Sequence, residues 1–254
     1  MPSDIKITGI VLSAAPMDDK DLRLAVLSRE AGTIPVLAKG ALSAKSKWRS
    51  VSQPFSLVHM VLSRGQSFYY IKEAELSDSL YEIRSDLDRV AWGSLMLEVA
   101  RDFSVDGADN RALVNLLARG LIRLARPGEG QEPSRLASVF LWRLLAENGY
   151  EADPDHCRSC GIPREPGDER SWGFLPQEGG LLCPDCERLH PAPYRISGRT
   201  AERMKAVQTA PPQKLFELRL EDEEGDELRK VSLAYLDCHS GQTYRSLEFI
   251  KSLN

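Results

Sequence analysis

Four of the five cysteines fall into two pairs of one spacing, Cys157-Arg158-Ser159-Cys160 and Cys183-Pro184-Asp185-Cys186, with 22 residues between them. Two residues between cysteines form a short knuckle that turns both thiols to one side and aims backbone amides at sulfur. Two such knuckles make a tetrahedral four-thiolate site, so the chain from 157 to 186 has to close around a common point. Gly161 supplies the permissive backbone needed just after the first knuckle. The expected ligands are Cys157, Cys160, Cys183 and Cys186, holding one zinc ion. Four sulfurs fill its coordination and leave no position for an activated water, so the metal is expected to be structural. His156 and His190 flank the pairs as alternative ligands. Cys238 stands alone and is expected to be buried on a helix.

Disulfides are the competing use of cysteine, and they belong to oxidising compartments. Met1-Pro2-Ser3-Asp4-Ile5-Lys6 has no charged stretch leading into an apolar one, and no apolar run approaches the ~20 residues of a membrane span. The expectation is a reducing cytoplasm and no membrane. At 254 residues, with 42% hydrophobic side chains, the chain has enough apolar material for two or three compact units.

Residues 5 to about 76 read as short strands. Ile5 to Leu12 is β-branched and partly alternating, Leu22 to Leu27 alternates cleanly, and Thr33 to Lys39, Ser56 to Leu62 and Ser67 to Lys72 follow across turns. Five short strands at this spacing suit a small closed barrel, OB-like or SH3-like, because closure removes exposed edges. Within it, Ala31 to Lys72 holds Lys39, Lys45, Lys47, Arg49, Arg64 and Lys72 and no acid, although the whole chain carries −4. Lys45-Ser46-Lys47-Trp48-Arg49 sits between two strands, where a loop belongs. Three cations and an indole in five residues form a strip for a phosphodiester backbone and an unstacked base. A solvated basic loop, with Trp48 packed beneath it, is the plainer reading of the same residues.

Near Ser77 the period changes from two to 3.6. Leu87, Val90, Ala91, Leu95 and Val99 share one helical face, and Leu113, Leu116, Leu117, Leu121 and Leu124 another, with Asp109 or Asn110 as N-cap. Arg119, Arg123 and Arg126 stand one turn apart on the opposite side of the second helix, either a solvated face or a dock for an acidic peptide. Leu136 to Leu145 is apolar nearly all round, a buried bundle centre closed by Gly149. Shorter helices are expected at Arg199–Gln208, at Glu227–His239 and at the C-terminus. The acidic run Glu221 to Glu227 is expected to be a solvated loop.

No phosphate-binding G-x4-G-K-[ST] loop, H-E-x-x-H or G-x-S-x-G motif is present. No histidine has a glutamate two positions later, as a base deaminase would need. The chain is expected not to be an enzyme. A purely protein-binding adaptor, its basic loop incidental, and a zinc enzyme with an open coordination site are the other classes.

Several short stretches together resemble the bacterial recombination mediator RecO family over essentially the whole chain. They are Arg29-Glu30-Ala31-Gly32, Lys39-Gly40, Ser46-Lys47, Gln53-Pro54-Phe55, Phe140 to Leu145 with Gly149-Tyr150, the first knuckle with its glycine, Gly179-Gly180, and Arg245 to Ile250. Glu187 departs from the glycine the family pattern has after the last cysteine. The resemblance implies an α+β chain: an N-terminal OB-like barrel (1–78), an α-helical domain (79–152 and 192–254) and an inserted zinc module (153–191). It implies DNA repair by recombination: binding single- and double-stranded DNA, annealing complementary strands and, with RecR, loading RecA onto strands coated by single-strand-binding protein. That protein's acidic tail is an implied partner, and the implied location is the bacterial cytoplasm, on the nucleoid during repair. Lys39 and Lys47 carry over from matching motifs. Lys45, Trp48, Arg49 and Arg64 rest on the local charge pattern, and Arg119, Arg123 and Arg126 on their spacing.

Overall fold

The computed structural model describes residues 4–253. The chain divides into two compact units, Met1–Arg126 with Glu248–Asn254, and Pro127–Leu247. No helix among the described residues is long and apolar enough to cross a membrane.

In the first unit β1 (Ile5–Pro16), β2 (Leu22–Ser28), β3 (Gly32–Ala38), β4 (Leu57–Arg64) and β5 (Tyr69–Asp78) close a barrel in the order β1-β2-β3-β5-β4. Neighbours are antiparallel except β3 and β5, which pair in parallel with Val36 opposite Tyr69 and Leu37 opposite Tyr70. This OB-like closure leaves no long free edge. Alternate residues fill it, among them Val11, Leu24, Val26, Val36, Met60 and Leu62. β1 also buries Ile10, on the other side from Val11, because α2 (Leu87–Asp102) and α3 (Arg111–Ala125) pack outside β1 and β2. These helices, with the short α1 (Tyr81–Arg84), therefore share a compact unit with the barrel, whereas the expected division separates them at 78.

From Ala91 onward α2 is buried nearly all round, while Leu87, expected on its inner face, is exposed in the first turn. α3 buries Leu113, Leu116, Leu117, Leu121 and Leu124, as the 3.6 period predicts. Its N-cap is Asn110, whose carboxamide does not cap the helix but bonds Val105 through both N–H and C=O and the Ala108 carbonyl. The Asp109 carboxylate accepts from the Arg111 amide instead.

The second unit is centred on α4 (Pro133–Glu147), which buries Leu136 to Trp142, Leu144 and Leu145 and ends at Gly149, at φ 92°. β6 (Asp153–Cys157), β7 (Ser171–Leu175), β8 (Gly180–Leu182) and β9 (Tyr194–Ser197) form a sheet in the order β6-β8-β7-β9, with α5 (Pro184–Leu189) after β8. This sheet extends to Ser197, past the expected module boundary at 191. Then come α6 (Gly198–Thr209), α7 (Asp222–Ser240) and, at the end of the chain, α8 (Arg245–Leu253). Trp142 of α4 meets Phe174 of β7 at 5.9 Å and Tyr235 of α7 at 5.3 Å, and its indole N–H donates to the Met204 carbonyl at 3.1 Å. The cysteine-bearing sheet thus shares one core with the helices.

Two expectations are corrected here. The acidic run is not a loop: Asp222 to Glu227 opens α7, where negative side chains favour the positive end of the helix dipole. Glu221 and Glu224 form a reciprocal capping box, the buried Glu224 takes Arg203, and Glu227 accepts from the Ser197 amide and hydroxyl. Cys238 is exposed, because α7 turns Tyr235 and Leu236 inward and Asp237 and Cys238 outward.

Candidate nucleic-acid interface and metal centre

The basic stretch leaves β3 at Lys39 and returns to β4 at Leu57 through a chain of tight turns, with amides of Ala41, Ser43, Ser46 and Arg49 each bonded three residues back. It is held against the barrel rather than free. Ala41 and Val51 join the barrel interior, Trp48 packs half-buried against the same cluster, and the Leu42 amide reaches the Lys20 carbonyl. The Gln53-Pro54-Phe55 motif fastens its far end. Gln53 donates to the Arg49 carbonyl, the Pro54 carbonyl accepts from Arg84 at 2.8 Å, and the Phe55 amide bonds the Val11 carbonyl. Phe55 adopts φ 73°, an unfavourable value for an aromatic residue, and its buried ring lies where a Cβ on Gly93 of α2 would come within 3.0 Å.

Lys39, Lys45, Lys47, Arg49 and Arg64 are all exposed, and among the described residues none forms an ion pair with a carboxylate. Two are laid over aromatic rings instead: Lys47 Nζ stands 4.3 Å from the Trp48 centroid, and Lys39 Nζ 5.0 Å from that of Tyr70. Lys72 is the exception in the acid-free window, paired with Asp4 at 2.8 Å and so removed from the free positive set. Farther along β5 the exposed residues turn acidic, with Glu73 and Glu75 opposite Val61 and His59 of β4.

Tyr70 joins this site although it lies outside the basic loop. Strand register brings it to this site: it lies opposite Leu37 of β3 and Ser63 of β4, which puts Lys39 and Arg64 at the same end of the barrel. Gly65 makes room for it, since a Cβ there would fall 2.3 Å from the ring's Cε2. The signal available in the sequence is the run Phe68-Tyr69-Tyr70 just after an Arg-Gly turn.

Arg119, Arg123 and Arg126 do not form one free row. Arg119 is exposed on α3, Arg123 is half-buried, and Arg126 lies past the last turn with its guanidinium on Asp78 at 3.0 Å and on Glu82 at 3.1 Å. Those carboxylates raise the Arg126 pKa, so a dock for an acidic peptide would have to compete with two built-in acids.

In the second unit the sulfurs of Cys157, Cys160, Cys183 and Cys186 lie within 4.8 Å of one another, with Cys160 and Cys183 3.8 Å apart. A tetrahedron with ~2.3 Å metal–sulfur bonds has edges of about 3.8 Å. Neither His156, bonded to Asp153 at 3.3 Å, nor His190 belongs to the cluster. β6 ends on Cys157, Gly161 at φ 72° turns the first knuckle back, and α5 carries Cys186. The Cys183 amide donates to the Cys157 sulfur at 3.3 Å. Burial pushes the Cys157 thiol up, but the amides of Cys160, Cys183 and Ser159 together outweigh it and bring it down to about 6. At Cys186 the Ser159 hydroxyl favours the thiolate, yet the sulfurs of Cys160 and Cys183 prevail and it is pushed up to about 12. Four thiolates in this space need a cation between them, and the donor set fits a soft divalent metal with all positions filled. Glu187 is buried beside the site with its carboxylate held by Arg195, which accommodates a charged residue directly after the last cysteine.

Residues 1–80 match the family model for the N-terminal part of recombination protein O, and residues 84–248 match that for its C-terminal part. The chain is 28% identical over 250 residues to the DNA repair protein RecO of Alkaliphilus metalliredigens, covering 98% of this chain and 99% of that one. It is likewise 28% identical to the RecO of Acetivibrio thermocellus (98% and 97% covered) and 29% to that of Desulforamulus reducens (98% and 94%). With an OB-like barrel, a helical body and a four-cysteine centre aligned end to end with these relatives, the chain belongs to the RecO family of DNA repair proteins.

Proposed function

We propose that this chain is a non-catalytic recombination mediator that binds single- and double-stranded DNA on its barrel and anneals complementary strands. With RecR it would promote loading of RecA onto strands coated by single-strand-binding protein. The observation that carries this reading is the set of five exposed cations without carboxylate partners among the described residues, two at strand ends and three on an anchored loop. Cations fixed along a loop neutralise phosphates without first breaking internal ion pairs, and screening the charge on one strand lowers the repulsion met by its complement. Charge is divided between the units in the same sense: residues 1–126 with 248–254 carry 18 basic against 16 acidic side chains, and residues 127–247 carry 15 against 21. Nucleic acid is thereby favoured on the unit that holds the barrel over the other.

The four cysteines would hold one zinc ion, which when bound supplies a fixed cross-link between the two knuckles. The acidic tail of single-strand-binding protein would meet Arg119 on α3, with Arg123 and Arg126 already engaged. The test is binding of the full chain to labelled oligo-dT and to a duplex across a salt series, with annealing of complementary oligonucleotides followed in parallel. Affinity falling steeply with salt and faster annealing are expected. Salt-insensitive binding, or none, would favour a protein-binding adaptor instead.

A further inference from the structure

We infer that Tyr70 is the residue by which the barrel distinguishes an unpaired base from a duplex, with Lys39 as its exchangeable cover; this rests on the DNA-binding reading above. β5 alternates at this point. Tyr69 and Ile71 pack against the barrel interior, while Tyr70 between them projects outward, half-exposed, at the end of the barrel that also holds Lys39 and Arg64. Gly65 backs one edge of the ring and the Lys39 ammonium lies over it at 5.0 Å.

An exposed cation–π contact is weak, and the stacking of a nucleobase on the same ring outweighs it. A base arriving at Tyr70 therefore displaces Lys39, and the released ammonium is left beside the phosphate that the base brings with it. Arg64, opposite Tyr69 across the β4–β5 ladder, is exposed at the same end of the barrel. Duplex DNA presents phosphates but no free base faces, so it gains from Lys39 and Arg64 and gains nothing from the ring. Farther along the same strand Glu73 and Glu75 repel a backbone, which confines a single strand to this end of β5. The Trp48 ring is a poorer platform, since it is packed against the barrel interior as well as covered by Lys47.

The experiment compares wild type, Tyr70→Leu and Tyr70→Phe for binding to oligo-dT and to a duplex of equal length across a salt series. Wild-type protein is also irradiated on an oligonucleotide carrying 5-iododeoxyuridine and the cross-linked peptide is identified. Tyr70→Leu is expected to weaken oligo-dT binding roughly 5- to 150-fold, the range of one lost base stack. Duplex affinity and the salt slope should stay within error, Tyr70→Phe should bind as wild type, and the cross-link should fall on Tyr70. Unchanged oligo-dT affinity in Tyr70→Leu, equal loss for both DNAs, or a cross-link confined to other residues overturns the assignment while leaving DNA binding intact. Failure of the wild-type chain to bind either DNA overturns the assignment and the reading beneath it together.

Discussion

The Lys47 ammonium stands 4.3 Å from the centroid of the Trp48 ring, so the basic loop holds one of its charges in place with its own neighbour rather than with an acid. A cation parked on an indole keeps its charge and is released at little cost when a phosphate arrives. Counting Lys39, Lys45, Lys47, Arg49 and Arg64, and leaving out Lys72 with its Asp4 partner, five cations can each contribute about −0.7 to the single-strand salt slope. The expected slope for oligo-dT is no steeper than about −3.5, or about a 130-fold loss of affinity from 50 to 200 mM salt. Replacing Lys45, Lys47 and Arg49 together by glutamine should reduce it to about −1.4. Fluorescence anisotropy titrations measure both slopes, and equal slopes would remove the loop from the DNA path.

The anchoring of that loop is a separate matter from its charge. Phe55 accepts a left-handed backbone to place its ring against Gly93, and its amide holds the end of the loop to β1. Replacing it by alanine empties a buried aromatic site, and the expected loss is about 3–5 kcal/mol in chemical denaturation of the first unit. DNA affinity should fall as well, with the salt slope unchanged, because the cations remain and only their arrangement loosens. A Phe55→Ala protein as stable as wild type would mean that the motif is held by Gln53 and Pro54 alone.

Much of this was legible in the sequence because local patterns and global packing agree. Leu22 to Leu27 alternates because one face of β2 fills the barrel, and the two cysteine pairs meet because C-x2-C knuckles are local turns. What stayed hidden depends on partners far along the chain. Lys39 and Tyr70 are 31 residues apart and are joined only by the parallel register of β3 and β5. The acidic start of α7 looks like a loop until Arg203 and Ser197, on or beside another helix, take up Glu224 and Glu227. β6, Asp153-Pro154-Asp155-His156-Cys157, has no strand-like composition; it is extended because β8 pairs with it and Cys157 must reach the metal site. Arg126 reads as one of a row of arginines, but Asp78 and Glu82, more than 40 residues back, claim it.

The four sulfurs lie in a unit whose sheet shares Phe174 with the cores of α4 and α7, so the metal site and the helical core should be lost together. Metal–thiolate binding contributes on the order of 10 kcal/mol in small zinc modules, comparable with the whole stability of a domain. Cys157→Ser is expected to reduce bound zinc well below one per chain and to abolish the cooperative unfolding of residues 127–247, while the barrel unit still melts cooperatively. Metal analysis and calorimetry report the two effects. A variant that loses zinc yet unfolds as wild type would show the site to be dispensable for that core.

A second electrostatic anchor in the same unit sets its acid sensitivity. The Asp168 carboxylate, with its side chain 5% exposed, is gripped by the Arg170 guanidinium at 2.7 Å and also accepts from the Arg170 amide and the Trp172 indole. The Arg170 side chain, against the burial that opposes it, holds the Asp168 pKa down to about 2, from an ordinary value near 3.8. A folded-state value below the unfolded one means the stabilisation is complete above about pH 4 and is lost as pH falls through about 2. The shift corresponds to roughly 2 kcal/mol. Asp168→Asn should therefore lower stability at pH 7 by about that amount and flatten the acid limb of the stability curve between about pH 4 and pH 2. Urea unfolding of both proteins across this range is the measurement, and a variant whose acid limb stays parallel to that of wild type would show that the Asp168–Arg170 pair is not its source.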